Sequence, residues 1–169
     1  MANAGRKILT VYVETSVISY LANRPSRDLV VAAHQQITRT WWEKKREEFE
    51  LFISEIVINE IGAGDKAESA KRLNLVKGVA KFLTIDQEAE DLARAFIQRG
   101  ALPKKAAVDA SHVAIAAVNG IDCLLSWNCK HIANAEIIRV IMMICEEQGY
   151  KAPVICTPLE ILGEEDGEG

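Results

Sequence analysis

The sequence predicts a three-layer α/β/α sandwich built on a central parallel sheet. Short β-branched, apolar runs alternate with one or two helical patterns along the chain, as in a sheet covered by helices on both faces. The first run, Ile8 to Val13 (ILTVYV), is mostly apolar on both faces, which is how a central parallel strand reads. No internal repeat and no interdomain linker interrupts the alternation.

After this first strand, Glu14-Thr15-Ser16 leads into a short helix, VISYLAN, with Thr15 or Ser16 as its expected cap. Pro25 and Ser26 open the next helix, with Ser26 or Asp28 near its start. Its segment VVAAHQQITRTWWEKKREE carries apolar residues on a helical period. The adjacent Trp41 and Trp42 predict one ring packed inward and the other exposed. Leu51 to Ile53 is the second strand. Ser54 caps a helix carrying Ile56, Ile58, Glu60 and Ile61, which Gly62 and Gly64 stop. Asp65 starts a helix reaching about Gly78, and Phe82 to Ile85 is the third strand. Asp86 caps QEAEDLARAFIQRG, which ends at Gly100. Lys104 to Val118 is a helix of small apolar residues, expected to be buried all round, and Gly120 ends it. Cys123 to Trp127 is the fourth strand. A helix over Ala135 to Gln148 and a fifth strand, Val154 to Cys156, complete the pattern.

With 169 residues the chain suits one domain with a substantial core, taken as residues 1–162. The acidic, glycine-rich tail GEEDGEG, residues 163–169, is expected to be disordered. A hydrophobic fraction of 49% and a charged fraction of 26% belong to an ordinary globular protein. The net charge of −4 argues against a protein that coats nucleic acid non-specifically, while leaving room for a local basic rim. Of the four cysteines none forms a CxxC pair, so no structural zinc site is expected. Cys123, Cys145 and Cys156 sit in apolar runs and read as small buried hydrophobes. Free thiols, the lack of a signal-peptide pattern and the lack of any apolar run of about 20 residues lead to the expectation of a cytoplasmic protein.

In parallel α/β sheets ligands sit beyond the carboxyl ends of the strands. The polar residues there are Glu14 after the first strand and Ser126 and Asn128 at the end of the fourth. Glu60 lies among isoleucines on the helix after the second strand, and Asp109 is the lone acid in the small-residue helix. Each acid has a plain structural reading. Glu14 suits a helix N-terminus, Glu60 the solvated face of an amphipathic helix, and Asp109 a pairing with Lys104 or Lys105. Brought together at one edge of the sheet, three carboxylates would repel unless a divalent cation joined them. Hard oxygen ligands suit Mg²⁺ or Mn²⁺, which can activate water for attack on a phosphodiester. Ser16 and Ser126 are candidates to hydrogen-bond a carboxylate or a phosphate, with capping and strand-end satisfaction as the alternative. His112, one turn after Asp109, reads as a satisfied helix histidine, with a pocket residue that holds a water as the alternative. His131 reads as an exposed loop residue, with a phosphate contact as the alternative, and His34 receives no role. Arg24, Arg27, Lys104, Lys105 and Lys130 are candidates for the basic rim.

Three stretches carry a family resemblance: VYVETSVISYL, LFISEIVINEI and VDASHVAIAAVNGIDCLLSWNCKHI. In order and spacing, from about Ile8 to Leu162, the chain resembles the PIN-domain family, and within it the VapC-type toxins of toxin–antitoxin pairs. The resemblance implies a PIN-like fold and divalent-metal-dependent endoribonuclease activity with Mg²⁺ or Mn²⁺. It places the four motif positions on Glu14, Glu60, Asp109 and Asn128 as metal-binding and catalytic residues, with Ser16 and Ser126 in support. It further implies RNA as substrate, a cognate antitoxin protein as partner, a homodimer, and no membrane. Two positions depart from the family pattern. Glu14 stands where aspartate is usual and is longer by one methylene. Asn128 brings a neutral amide where a carboxylate is common, so weaker metal affinity is expected. The alternative reading is a PIN-like module that binds RNA or protein without cutting. A carboxylate-dependent phosphatase on a similar sheet fits less well, because Glu14 is a poor substitute for the nucleophilic aspartate after its first strand.

Overall fold

The computed structural model describes residues 7–163, so the acidic tail after Gly163 lies outside the described residues. Five strands form one parallel sheet. They are β1 (Thr10–Val13), β2 (Glu50–Ser54), β3 (Lys81–Leu83), β4 (Cys123–Leu125) and β5 (Val154–Cys156), in the order β3-β2-β1-β4-β5. β1 is the central strand, with Val11 opposite Leu51 on one side and Cys123 on the other. Val11 and Tyr12 are wholly buried and Val13 nearly so, as a strand covered on both faces must be.

The helices are α1 (Thr15–Ala22), α2 (Leu29–Lys44), α3 (Glu55–Ile61), α4 (Lys66–Val76), α5 (Gln87–Gln98), α6 (Ala107–Val118), α7 (Ala135–Glu147) and α8 (Pro158–Ile161). They sort into two packed groups. α1 contacts α2, α3 and α4, with α8 against α2; α5 contacts α6 and α7. The sheet between them gives the three-layer α/β/α sandwich that the alternation predicts.

Side-chain caps mark most of the helix starts. Asp28, Ser54, Asp65 and Asp86 accept from backbone N–H groups of α2 to α5, and Asn134 does so for α7. Gly100 and Gly120, past α5 and α6, hold φ of 77° and 65°, a left-handed conformation that favours glycine. The cap of α1 is Glu14 itself, whose side chain accepts from Ser16 N, rather than Thr15 or Ser16.

Several expected boundaries move. β1 begins at Thr10, where Asp122 accepts from both the Thr10 amide and its hydroxyl at 3.0 Å; Ile8 and Leu9 are exposed. β3 is an edge strand one residue earlier than expected, with Phe82 exposed. β4 stops at Leu125, so Ser126 and Trp127 lie beyond the strand. A 3₁₀ turn over Lys104–Ala106 precedes α6, whose first turn is open, while 112–117 are buried all round. Both Trp41 and Trp42 are buried, because the turn after α2 carries Arg46 over the Trp42 ring at 5.0 Å. The short α8 has no counterpart in the sequence reading; its Thr157–Glu160 capping box starts it at Pro158. Cys123, Cys145 and Cys156 are buried as expected, and Cys129 is exposed.

The chain leaves β1 toward β2 and β3, then returns to place β4 on the other side of β1. The topological switch point therefore falls between β1 and β4, and a ligand crevice is expected beyond their carboxyl ends. Glu14 follows β1 there, and Ser126 follows β4.

Candidate active site at the switch point

Glu14 ties the two central strands together just past their ends. Its backbone N–H donates to Leu125 O at 3.0 Å, extending the ladder between β1 and β4. Its carboxylate is only 5% exposed, and a buried carboxylate needs donors. All of them converge on one oxygen, Oε2. Ser126 Oγ donates at 2.7 Å, and Ser16 donates through both its hydroxyl and its amide. Both serine hydroxyls also accept: Ser16 Oγ from Trp127 N at 2.9 Å and Ser126 Oγ from Asn128 N at 2.9 Å. The two serines thus clamp the loop after β4 onto the start of α1. Oε1 of Glu14 takes no hydrogen bond among the described residues.

Glu60, on the last turn of α3, repeats this division. Its Oε1 accepts from Thr15 Oγ1 at 2.7 Å and meets His112 Nε2 at 2.6 Å, while Oε2 has no hydrogen bond among the described residues. Burial alone would raise this carboxyl. The His112 hydrogen bond and charge, and then the Thr15 hydroxyl, outweigh that and hold it below the ordinary glutamate value. His112 is completely buried, with its other ring nitrogen, Nδ1, 2.6 Å from the Tyr12 hydroxyl. That hydroxyl lies 2.7 Å from Ser54 Oγ. Burial, outweighing the Ser54 hydrogen bond and supported by the charges of Glu14 and Glu60, raises the Tyr12 phenol well above its usual range.

Asp109, in the first turn of α6, pairs with neither Lys104 nor Lys105. Asn128 Nδ2 donates to its Oδ1 at 3.1 Å, and His131 Nδ1 stands 2.9 Å from its Oδ2. Asn128 in turn accepts at Oδ1 from His131 N at 3.1 Å, and its carbonyl accepts from Ile132 and Ala133. The loop is therefore wound around Asn128, and the amide nitrogen, not the oxygen, faces Asp109. The indole beside it is also fixed. Trp127 Nε1 donates to Thr38 at 2.7 Å, and its ring stacks on His34 at 4.0 Å.

Glu14, Glu60, Asp109, Asn128, Ser16 and Ser126 thus belong to one hydrogen-bonded district. Thr15 and Ser16 are chain neighbours that donate to Glu60 and Glu14 respectively, and Asp109 and His112 lie three apart on one helix face. The three carboxylates do not meet at a point: among the described residues no three His, Cys, Asp or Glu side chains are grouped closely enough to hold a metal ion. Each carboxylate is instead held by its own donors. For two participants, His112 and His131, the sequence reading favoured the plain role over the pocket role. His112 is a satisfied helix histidine, but its satisfaction comes from Glu60; its spacing from Asp109 was the available signal. His131 is part-buried on Asp109 rather than an exposed loop residue, and nothing local in the sequence announces this.

Comparison with known proteins agrees with this layout. Residues 11–128 match the family model described as the PIN domain. No curated protein matches the chain. Among solved structures, the sarcin-ricin-loop-cleaving toxin VapC20 of Mycobacterium tuberculosis superposes with a TM-score of 0.57 at 16% identity, covering 72% of this chain and 92% of that one. VapBC2 of Rickettsia felis, bound to a DNA fragment from its promoter, gives 0.55 at 13% identity, covering 88% and 98%. FitAcB of Neisseria gonorrhoeae gives 0.54 at 14% identity, covering 89% and 99%. At such identities these structures speak for the fold. With the family model spanning both central strands and all four motif positions, the chain belongs to the PIN-domain family.

Proposed function

We propose that this protein, as one PIN-like unit over residues 1–162, is a divalent-metal-dependent endoribonuclease and the toxin of a toxin–antitoxin pair. PIN domains are generally nucleases. The observation that carries the reading is the arrangement of Glu14 and Glu60 at the switch point: each commits one carboxylate oxygen to the scaffold and leaves the other without a hydrogen bond.

The donor chemistry fits a hard cation such as Mg²⁺ or Mn²⁺, since the candidate ligands Glu14, Glu60, Asp109 and Asn128 all offer oxygen. Bound there, the cation would supply the charge that activates a water and stabilises the phosphate in transfer. Ser16 and Ser126 hold Glu14 in place, and Thr15 and His112 hold Glu60. Asp109 and the Asn128 amide oxygen are already engaged by Asn128, His131 and the loop backbone, so ligation from them requires those hydrogen bonds to be shared or exchanged. This supports weaker metal affinity than four carboxylates would give.

Arg24, Arg27, Lys104, Lys105 and Lys130 are all exposed and form no ion pair among the described residues, which leaves them available to RNA phosphates. The likeness in fold to the toxin VapC20 and to VapBC2 supports reading this chain as a toxin with an antitoxin partner, and a homodimer belongs to the same reading. Among the described residues no helix is long and apolar enough to cross a membrane, in keeping with the proposed cytoplasmic location. The second reading, a PIN-like RNA- or protein-binding module without cleavage, draws on the engagement of Asp109 and the neutral Asn128. Incubation of the protein with RNA and Mn²⁺ separates them. Internal cleavage that chelation abolishes supports the enzyme; RNA binding with no cleavage at any Mn²⁺ concentration supports the module.

A further inference from the structure

The line Ser54–Tyr12–His112–Glu60, which runs from the core out to the exposed Glu60, is not explained by packing. Four polar side chains from β1, β2, α3 and α6 meet end to end at 2.7, 2.6 and 2.6 Å, and His112 and Ser54 are completely buried. Such a line must order its protons. The Glu60 carboxylate only accepts, so the His112 nitrogen facing it, Nε2, carries the hydrogen. In a neutral ring Nδ1 then accepts, and the tyrosine hydroxyl donates to it. Ser54 Oγ–H donates to the Tyr12 oxygen, while Ser54 Oγ accepts from Val57 N and caps α3, the helix that carries Glu60. With the ring neutral, every group has its partner in this assignment.

We propose that Tyr12 and His112 are positioning residues for Glu60. Tyr12, donating to Nδ1, anchors the His112 ring in the Nε2–H form that Glu60 calls for, and that N–H holds the Glu60 carboxylate with Oε1 committed and Oε2 left for a ligand. The role resembles that of an outer-shell orienter of a metal-binding carboxylate, whose removal typically weakens metal binding about 10–100-fold. The metal-binding half of the test rests on the nuclease reading; the tautomer half does not.

The test begins with the metal-free protein carrying ¹⁵N-labelled histidine, with correlations from ring nitrogens to ring protons. His112 should show a protonated Nε2 and a bare Nδ1, and Tyr12→Phe, which removes the donor to Nδ1, should move the Nδ1 resonance to that of a bare nitrogen without a hydrogen bond. A His112 with its hydrogen on Nδ1 overturns the proposal. Calorimetric Mn²⁺ titrations supply the second arm. Tyr12→Phe should bind about tenfold more weakly than wild type. His112→Gln retains an N–H donor for Glu60, whereas His112→Leu fills space without one. Positioning predicts that the glutamine variant binds Mn²⁺ more tightly than the leucine variant; equal or reversed affinities make His112 a packing residue and end the proposal. If wild type binds no Mn²⁺, the nuclease reading falls, and the positioning claim is decided by the tautomer.

Discussion

At the scale of single residues, the site is a set of carboxylates each held by neutral or basic donors. The acids were legible because a polar residue straight after a strand, or alone in a helix of alanine and valine, has few structural excuses. Their partners were less so. His112 meets Tyr12, a residue 100 positions away in the chain, and helical periodicity carries no such distance. His131 meets Asp109 only because the loop winds around Asn128, a consequence of backbone bonds that no local pattern predicts. The Glu60 carboxyl sits below its ordinary value of 4.5. A lowered carboxyl stabilises the fold above the unfolded-state value and loses that contribution as pH falls through the folded value. Urea unfolding should therefore show wild type losing stability as pH drops below about 4.5. Glu60→Gln should lose less over the same range; an unchanged acid limb would mean that the Thr15 and His112 contacts add nothing.

At the scale of elements, caps and strands follow from ordinary chemistry. Ser54, Asp65 and Asp86 were legible as helix starts because short oxygen-bearing side chains reach the first free N–H groups. Asp86→Ala, which removes the hydrogen bond to Ala89 N, should cost about 1 kcal/mol in urea unfolding and leave the far site's Mn²⁺ affinity alone. Glu14 as a cap was not legible: its side chain bends back to Ser16 N because Ser126 and Ser16 hold the same oxygen. The pairing of two tryptophans in the core was likewise hidden, since Arg46 and the turn that carries it lie past the helix end. Strand ends moved by one or two residues where hydrogen bonds from elsewhere set them, as Asp122 does for Thr10.

At the scale of the whole molecule, the alternation of strands and helices carried the sandwich, but the strand order decides where function sits. Placing β4 beside β1 brings two distant sequence segments side by side at one edge of the sheet. For the proposed RNA substrate, the net charge of −4 requires the attraction to be local. Replacing Lys104, Lys105 and Lys130 together by glutamine should weaken RNA binding. It should also flatten the salt dependence by about 0.7 log units per lost phosphate contact, with the melting temperature unmoved. An unchanged slope would place the RNA on another face.

The central claim is that the four motif positions form one metal-dependent nuclease site. It is tested most directly by measuring RNA cleavage against Mn²⁺ concentration for wild type, Glu14→Gln and Asp109→Asn. The account predicts internal cleavage by wild type that rises with Mn²⁺ and disappears with chelation, and a loss of about a hundredfold or more in both variants. Cleavage that survives in both variants, or that ignores Mn²⁺, would contradict it.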